Sequence, residues 1–309
     1  MTTTDGCGNT THVLSGLEPD SLLAFLALLG LFKALERSRP EWKPRVFWEG
    51  KPPRAVLVLS AGNIICDHLV EGIEEGICEL GKAYGFDRPN ITFTRQEFRS
   101  IVGSAQVGRE KASLYAALAS DGVLKRDKDI VEPTPLCAMF GQGHQDFLSR
   151  LESNARRCNL NNFRDIQRAI FEPWKYDDDA ESFRWDPFED RRYAHQFGDP
   201  SETKNKNGSV TGANRLAAIG FSVLTCVPTT SGLTTSGVVR RRREQKVCWP
   251  IVAAPTSLAG HLSLLVHPEI GKEEKASELS AYGVAGVSRS RRYQVGKYFN
   301  FERARVQWF

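Results

Sequence analysis

Three carboxylates in one short segment have the spacing of a divalent-metal site. Asp186, Glu189 and Asp190 stand at positions i, i+3 and i+4, which share one face if the segment is helical. Carboxylate oxygens are the ligands that Mg²⁺ prefers in proteins. Together with His195 they could form the centre of a magnesium-dependent nuclease, which is one alternative for the function.

Arginines and aromatic rings are interleaved with these carboxylates. Neighbouring arginines can neutralise the acids in local ion pairs, and buried carboxylates normally require such partners. A structural charge network is therefore favoured over a metal site, and we expect no metal, no cofactor and no catalytic residue. Trp185 and Phe188 are expected to pack rather than to stack on a ligand. The residues expected to support this segment are Arg184, Trp185, Asp186, Glu189, Asp190, Arg191, Arg192 and Tyr193.

A second candidate site is a run of four cations, Arg240, Arg241, Arg242 and Arg243. It follows a stretch rich in Thr, Ser and Gly, residues 229–237, which predicts a loop. Long cationic side chains beside a loop can reach a phosphate backbone, although a solvated run of charges is an equally ordinary reading.

The end of the chain repeats this chemistry with aromatic rings added. Cations neutralise phosphates and rings stack on bases, and the two together are typical of strand binding. Several of the rings are expected in the core, because large aromatics dominate core burial. The cations are Arg289, Arg291, Arg292, Lys297, Arg303 and Arg305, and the rings are Tyr293, Tyr298, Phe299, Phe301, Trp308 and Phe309.

Asn214 and Arg215 lie in the segment Gly212-Ala213-Asn214-Arg215-Leu216-Ala217. An asparagine amide both donates and accepts hydrogen bonds, so Asn214 is our candidate for a base or sugar contact. Arg191 and Arg192 would brace that contact or join it.

Charge is distributed unevenly along the chain. The 309 residues carry a net charge of +4, but residues 204–309 hold 16 Lys and Arg against 6 Asp and Glu. Residues 1–203 then hold 25 against 31. This asymmetry predicts that the C-terminal third contacts a polyanion, with nucleic acid as the first candidate.

Other motifs carry less weight. Residues 76–82 match the spacing of a phosphate-binding loop, but Ala83 stands where a hydroxyl should bind magnesium, and the segment ends an amphipathic helix. Cys66, Asp67 and His68 are consecutive, so a helix would point them in different directions. We interpret them as the first turn of a helix.

Composition is that of an ordinary globular protein, with 41% hydrophobic and 25% charged residues. The longest apolar stretch, residues 22–32, is about half of the ~20 residues that a membrane span needs. We expect a cytoplasmic protein without a membrane contact. The seven cysteines are scattered and never spaced C-x-x-C, which favours free thiols over disulfides or a zinc site.

The elements that must position these residues are of both types, so the fold class predicted is mixed α/β. Periodicity predicts helices over 22–29 with Asp20 as cap, 65–80, 97–118, 146–157 and 256–266, and strands over 46–48, 55–59, 247–253, 294–299 and 305–309. Residues 2–11 are expected to fray. The segment Asp177–Asp179 is the expected seam between an N-terminal domain, 1–176, and a basic C-terminal region, 177–309, unless the two form one continuous fold.

Three parts of the sequence resemble one known family. They are the segment His12–Leu17 leading into Leu22–Leu31, the block Arg184–Ala194 with Asp199-Pro200-Ser201, and Gly212–Ala217, with a similar ending at Gly296–Phe301. They are similar to the large-subunit-like proteins of type I CRISPR–Cas effector complexes, subtype I-U or I-G.

The resemblance implies a non-catalytic subunit of an RNA-guided surveillance complex. Such a subunit would bind target double-stranded DNA, help to read the flanking motif (PAM) and support R-loop opening, while base pairing reads the sequence. Its partners would be the backbone and crRNA-end subunits, the guide RNA and a nuclease-helicase that cleaves in trans. The chain is short for a large subunit, so a compact version, another component of the complex or a protein-only scaffold remain alternatives.

Overall fold

The computed structural model describes residues 2–4, 8–104, 108–126, 128–138, 146–179, 182–189, 208–241, 244–273, 277–295 and 298–309. The helices are α1 (Leu22–Ser38), α2 (Cys66–Gly81), α3 (Arg95–Gly103), α4 (Gly108–Leu118), α5 (Phe147–Arg156), α6 (Arg164–Phe171), α7 (Thr211–Phe221), α8 (Leu258–Leu265) and α9 (Ser277–Ala281). The strands are β1 (Thr2–Thr4), β2 (Thr10–Leu14), β3 (Arg45–Glu49), β4 (Arg54–Leu59), β5 (Ala119–Leu124), β6 (Val131–Pro133), β7 (Cys226–Thr229), β8 (Gly232–Thr235), β9 (Val238–Arg241), β10 (Glu244–Val252), β11 (Val284–Val295), β12 (Tyr298–Phe301) and β13 (Arg305–Trp308). The mixed α/β class is confirmed.

Helices α1 and α7 pack against each other at the centre of the molecule. A Cβ atom on Gly30 would lie 1.8 Å from the carbonyl oxygen of Leu216, and one on Gly220 would lie 2.0 Å from that of Leu26. The two backbones therefore meet where each helix has a glycine. Ser21, rather than the expected Asp20, caps α1 by accepting a hydrogen bond from the amide of Ala24 at 3.2 Å.

The N-terminal sheet is antiparallel with strand order β1-β2-β4-β3. Strand β2 corrects the expectation of a frayed start, because Thr10–Leu14 pairs with Leu59–Ala55 along its whole length. Its alternating burial fits a strand with one covered face.

The C-terminal sheet has the order β12-β11-β10-β9, and β13 pairs with β11 beside β12. Within this sheet the long strand β11 pairs with β10, β12 and β13, but not with β9. Helices α8 and α9 and a 3-10 turn at Pro268–Gly271 follow β10 in the chain.

Two expectations for the middle of the chain are wrong. The helix expected over 97–118 is two helices, α3 and α4. The loop expected over 229–237 instead contains most of a hairpin, β7–β8, in which Thr229 pairs with Gly232. Glycine at position 232 takes a φ of 114°, which the turn requires.

A disulfide joins Cys78 on α2 to Cys158 after α5. This corrects the expectation of free thiols for these two residues, since cysteines 80 positions apart cannot be paired from spacing alone. Cys66, Cys137, Cys226 and Cys248 form no disulfide with another described cysteine.

The hydrophobic core is one cluster that includes residues from Leu14 to Ala304. At the expected seam, Asp177 and Asp178 both pair with Arg168 on α6, at 2.8 and 3.2 Å. Among the described helices, none combines the length and the apolar character that crossing a bilayer would take.

Candidate nucleic-acid interface

Cations from four neighbouring strands lie on one face of the C-terminal sheet. Side chains alternate between the faces of a strand, and residues paired across strands share a face. The core face carries Val247, Trp249, Ile251, Ser288 and Ser290, which are all buried. The opposite face, here called the outer face, carries Arg241 on β9, Lys246 on β10, Arg289 and Arg291 on β11, and Arg305 on β13, and it is itself covered at Cys248 and Val287, which are also buried.

Strand pairing fixes the arrangement of these cations. Lys246 stands opposite Arg291, and Arg289 stands opposite Arg305. Strands are spaced by about 4.8 Å, so the row from β9 to β13 spans about 14 Å. That is close to the ~12 Å width of the major groove of B-DNA.

The outer cations differ in their ion pairs. Lys246 lies 2.7 Å from Glu273 and 3.3 Å from Glu244, and Arg291 pairs with Glu302. The Lys246 ammonium lowers the pKa of the Glu273 carboxyl. Arg241 and Arg305 are exposed, and within the described ranges neither forms an ion pair.

Arg289 is not available to a ligand in the way expected. Its side chain is only 9% exposed, and it donates to Gln307 Oε1 at 2.9 Å and to the carbonyl of Lys272. Burial lowers its pKa. Arg289 therefore fastens the turn after α8 to the sheet.

The arginine run does not form one patch. Arg240 and Arg241 are successive residues of β9, so their side chains lie on opposite faces. Arg240 shares the core face with Arg292, near the end of the sheet. Arg242, Arg243 and Lys297 lie outside the described residues.

Arg303 serves the interior instead of a ligand. It pairs with Asp20 at 2.9 Å, with Asp186 at 3.2 Å and with Glu18. Its guanidinium also lies over the Phe188 ring, 5.5 Å from the centroid. Arg303 therefore links the C-terminal sheet to the start of α1, and the phosphate contact expected for it stays a prediction.

The charge network expected around the carboxylates exists in part within the described residues, where Arg303 is the arginine that pairs with Asp186. Asp186 is 1% exposed and accepts from Ser21 Oγ at 2.6 Å, from the amide of Phe188 at 2.9 Å and from Arg303. None of these donors is an arginine of the same segment.

Glu189 is 2% exposed, and the side chains that donate to it from the described part of the chain are neutral. It accepts from Ser182 Oγ at 2.8 Å, Ser209 Oγ at 2.7 Å and Asn214 Nδ2 at 2.6 Å. Burial raises the pKa of Glu189 to about 7, with the nearby Asp186 charge adding to the effect. Asp186 and Glu189 thus belong to different hydrogen-bond sets.

The structure corrects the assignments of Asn214 and Arg215, because both side chains are fully buried on α7. Asn214 Nδ2 also donates to Ser209 Oγ at 2.9 Å and to the carbonyl of Val210 at 3.1 Å. A base contact by Asn214 would require α7 to leave the core.

Arg215 is the centre of a buried ion-pair cluster. It contacts both carboxylate oxygens of Glu74 on α2, at 2.5 and 2.7 Å, and lies 3.0 Å from Asp165 on α6. It also donates to the carbonyl of Arg157, next to the disulfide. Arg215 therefore ties three helices together and does not meet solvent.

Trp185 packs as expected. It is fully buried, stacks on Phe183 with 4.3 Å between centroids and donates to the carbonyl of Leu136 at 2.9 Å. Arg184 is half-buried with a φ of 62°. Five of the predicted site residues lie outside the described residues: Asp190, Arg191, Arg192, Tyr193 and His195. In the part of the chain that is described, no three His, Cys, Asp or Glu side chains are grouped so that they could hold a metal ion.

Sequence reasoning missed Lys246 as a member of the outer face. The strand was predicted to start at residue 247, three positions too late, although Glu244-Gln245-Lys246 continues the strand alternation. Pairing with β9 and β11 adds these residues to the sheet.

No protein-family model, no curated protein and no solved structure matches this chain.

Proposed function

We propose that this protein is a non-catalytic, nucleic-acid-binding subunit of an RNA-guided CRISPR surveillance complex. It would bind target double-stranded DNA through the outer face, contribute to reading the flanking motif and help to open the duplex. Guide RNA and the other effector subunits would be its partners, and a nuclease-helicase acting in trans would cut the DNA.

The observation that carries the proposal is the row of cations on the outer face. Arg241 and Arg305 are exposed at its two ends, and Lys246 and Arg291 lie between them with carboxylates that a phosphate could replace. The strand backbones that carry these cations are already ordered, so only side-chain freedom is lost when they bind phosphates, which favours a positioning contact.

The segments that carry the family resemblance also contact one another. Ser21, at the start of α1, donates to Asp186 at 2.6 Å, and Asn214 on α7 donates to Glu189 at 2.6 Å. Three separate pieces of sequence therefore meet in one structural unit. The proposed DNA contacts lie apart from this unit, on the outer face.

The phosphate contact is tested by the salt dependence of duplex binding. Each neutralised phosphate adds about 0.9 to the slope of log affinity against log salt. The variant Arg241→Ala/Arg305→Ala of the full chain should lower the slope by about 1.8, which is about a 12-fold difference between 50 and 200 mM salt. Fluorescence anisotropy with a labelled DNA duplex measures it.

The matched control is Lys51→Ala/Lys82→Ala, which removes two exposed cations outside the C-terminal sheet. It should leave the slope unchanged. Equal slopes for the wild type and the Arg241/Arg305 variant, or an equal reduction in the control, would show that the outer face does not bind phosphates.

Membership of a guided complex needs a separate experiment. The tagged full chain, isolated from its own cells, should bring with it RNA that carries CRISPR repeat sequence, and ribonuclease should remove that RNA. Recovery of no RNA, or of ribosomal RNA alone, would contradict this part of the proposal even if the chain bound duplex DNA.

A further inference from the structure

A cleft of about 400 Å³ lies between the β5–β6 hairpin and the core-face end of the C-terminal sheet. We call it the hairpin cleft. Lys125 and Arg126 come from the hairpin, Arg240 from β9, Gln245 from β10, Arg292 from β11 and Phe299 from β12. Its volume lies within the ~300–1,000 Å³ typical of small-molecule sites.

The cleft concentrates positive charge. Four cations line it, and among the described lining residues the only carboxylate is Glu132, which lies 3.9 Å from Arg240. Burial lowers the pKa of Lys125 and lowers that of Arg292 to about 10, and the neighbouring Arg240 charge acts on Arg292 in the same direction. Partly desolvated cations that repel one another favour an anionic ligand.

The cleft also contains a stacking platform. The Arg292 guanidinium lies over the Phe299 ring, 3.6 Å from its centroid. Gln245 Oε1 accepts from Arg292 at 3.0 Å and so fixes the guanidinium plane, while the buried Nε of Arg292 has no hydrogen-bond partner. Planar guanidinium groups and aromatic rings are the surfaces on which unstacked bases bind.

We propose that the hairpin cleft binds one nucleoside phosphate, with the base on the Arg292–Phe299 stack and the phosphate held by Lys125, Arg126 and Arg240. The site lies on the opposite face of the sheet from Arg241 and Arg305, so it does not depend on the proposed duplex contact. The same chemistry could come from a free nucleotide or from an unpaired nucleotide within a strand.

Binding of the full chain to labelled oligothymidylate, with AMP, adenosine and inorganic phosphate as competitors, tests the proposal. AMP should compete far better than adenosine or phosphate alone, because the cleft recognises both parts. If AMP binds and the oligonucleotide does not, the ligand of the cleft is a free nucleotide. If the oligonucleotide binds more tightly than AMP, the ligand is an unpaired nucleotide within a nucleic-acid strand. The proposal would be overturned if adenosine and inorganic phosphate competed as strongly as AMP.

Two variants assign the binding to the cleft. Arg292→Met removes the stack and should weaken binding about 5- to 150-fold, the equivalent of one stacked base. Because Arg292 also contacts the protein, Lys125→Gln/Arg240→Gln provides a second variant that leaves the stack in place. It should weaken AMP binding and lower the salt slope for the oligonucleotide by about 0.7 for each phosphate that is no longer neutralised.

The outer-face variant Arg241→Gln/Arg305→Gln is the matched control and should bind AMP as the wild type does. Unchanged AMP binding in both cleft variants, or an equal weakening in the control, would overturn the cleft proposal. Weakened duplex binding in the control with intact AMP binding separates the two sites.

Discussion

The buried charges around α7 and the exposed charges of the outer face use the same residue types for opposite purposes. Arg215 is enclosed by Glu74 and Asp165 and has no exposure, whereas Arg241 is exposed and forms no ion pair within the described part of the chain. A buried arginine without those carboxylates would cost several kcal/mol, so its partners are part of the fold. An exposed arginine contributes little to stability and remains available to a ligand.

This difference shows where function can be sought in such a chain. Two segments that the sequence offered as candidate sites, 182–189 and 211–221, are occupied with internal contacts. The exposed cations Arg241, Arg291 and Arg305 lie on strands β9, β11 and β13. Substitutions in the interior should therefore change stability, and substitutions on the outer face should change binding.

The largest effect is expected for Arg215→Leu. Removing the guanidinium leaves Glu74 buried without its partner, which should lower the free energy of unfolding by about 3–5 kcal/mol. Urea unfolding followed by circular dichroism measures the decrease. The double variant Arg215→Leu/Glu74→Leu should recover most of it, because both charges are then absent.

If Arg215→Leu kept full stability but no longer bound the duplex, Arg215 would belong to the interface and the division between interior and outer face would be wrong. Binding normalised to the folded fraction distinguishes the two outcomes.

The second-largest effect is expected for the disulfide, which should contribute about 2–4 kcal/mol to the free energy of unfolding. Cys78 and Cys158 join α2 to the segment whose Arg157 carbonyl accepts from Arg215, and they close a loop of 80 residues. Reduction, or the variant Cys78→Ser/Cys158→Ser, should lower the free energy of unfolding without changing the salt slope of DNA binding. Thiol titration of the unfolded protein should find two more reactive thiols after reduction than before it; an equal number before and after would contradict the bond.

The raised pKa of Glu189 predicts that the free energy of unfolding changes with pH by about 2 kcal/mol. Its pKa is about 7 in the folded state against 4.5 for the free side chain, so the folded chain binds a proton more tightly than the unfolded chain. Stability contributed by this proton should therefore be greatest at low pH and fall as pH rises from about 4.5 through 7. Between pH 5 and 8 the wild type should lose about 2 kcal/mol relative to Glu189→Gln, which cannot ionise.

The comparison is made between the two proteins at each pH, so other titrating groups cancel. A parallel pH dependence in wild type and Glu189→Gln would mean that Glu189 is already ionised in the fold, as a metal ligand or a solvent-exposed carboxylate would be.

The sequence allowed part of this fold to be predicted. Helices α1, α2 and α5 and strands β4 and β10 follow from apolar periodicity, because each has a regular hydrophobic pattern, and the short strand β3 follows from its run of Val, Phe and Trp. Strand β2 and the hairpin β7–β8 were missed because they are rich in Thr, Ser and Gly, whose local preference is for turns, and only tertiary pairing makes them strands.

The sites were harder to predict, because burial is a property of the whole fold. Nothing local separates Arg215, which lies in Gly-Ala-Asn-Arg-Leu-Ala, from Arg305, which lies in Arg-Ala-Arg-Val. The one available signal was the small residues Gly212, Ala213, Ala217, Ala218 and Gly220, which are typical of a helix that packs closely on all sides. The distribution of Arg240 and Arg241 between two faces follows only once residues 238–241 are known to be a strand.

The smallest effect on stability is expected for Arg241→Ala, whose free energy of unfolding should stay within about 0.5 kcal/mol of the wild type. Its effect should appear only in duplex binding, where the salt slope should fall by about 0.9. Arg241→Lys should restore that slope, because a phosphate contact requires a positive charge and not a guanidinium fork. A flanking base read in the major groove would instead lose discrimination in the lysine variant while the salt slope stayed near the wild-type value. Anisotropy titrations with duplexes that differ only in flanking sequence distinguish the two, and unchanged discrimination in Arg241→Lys assigns Arg241 to the phosphate backbone.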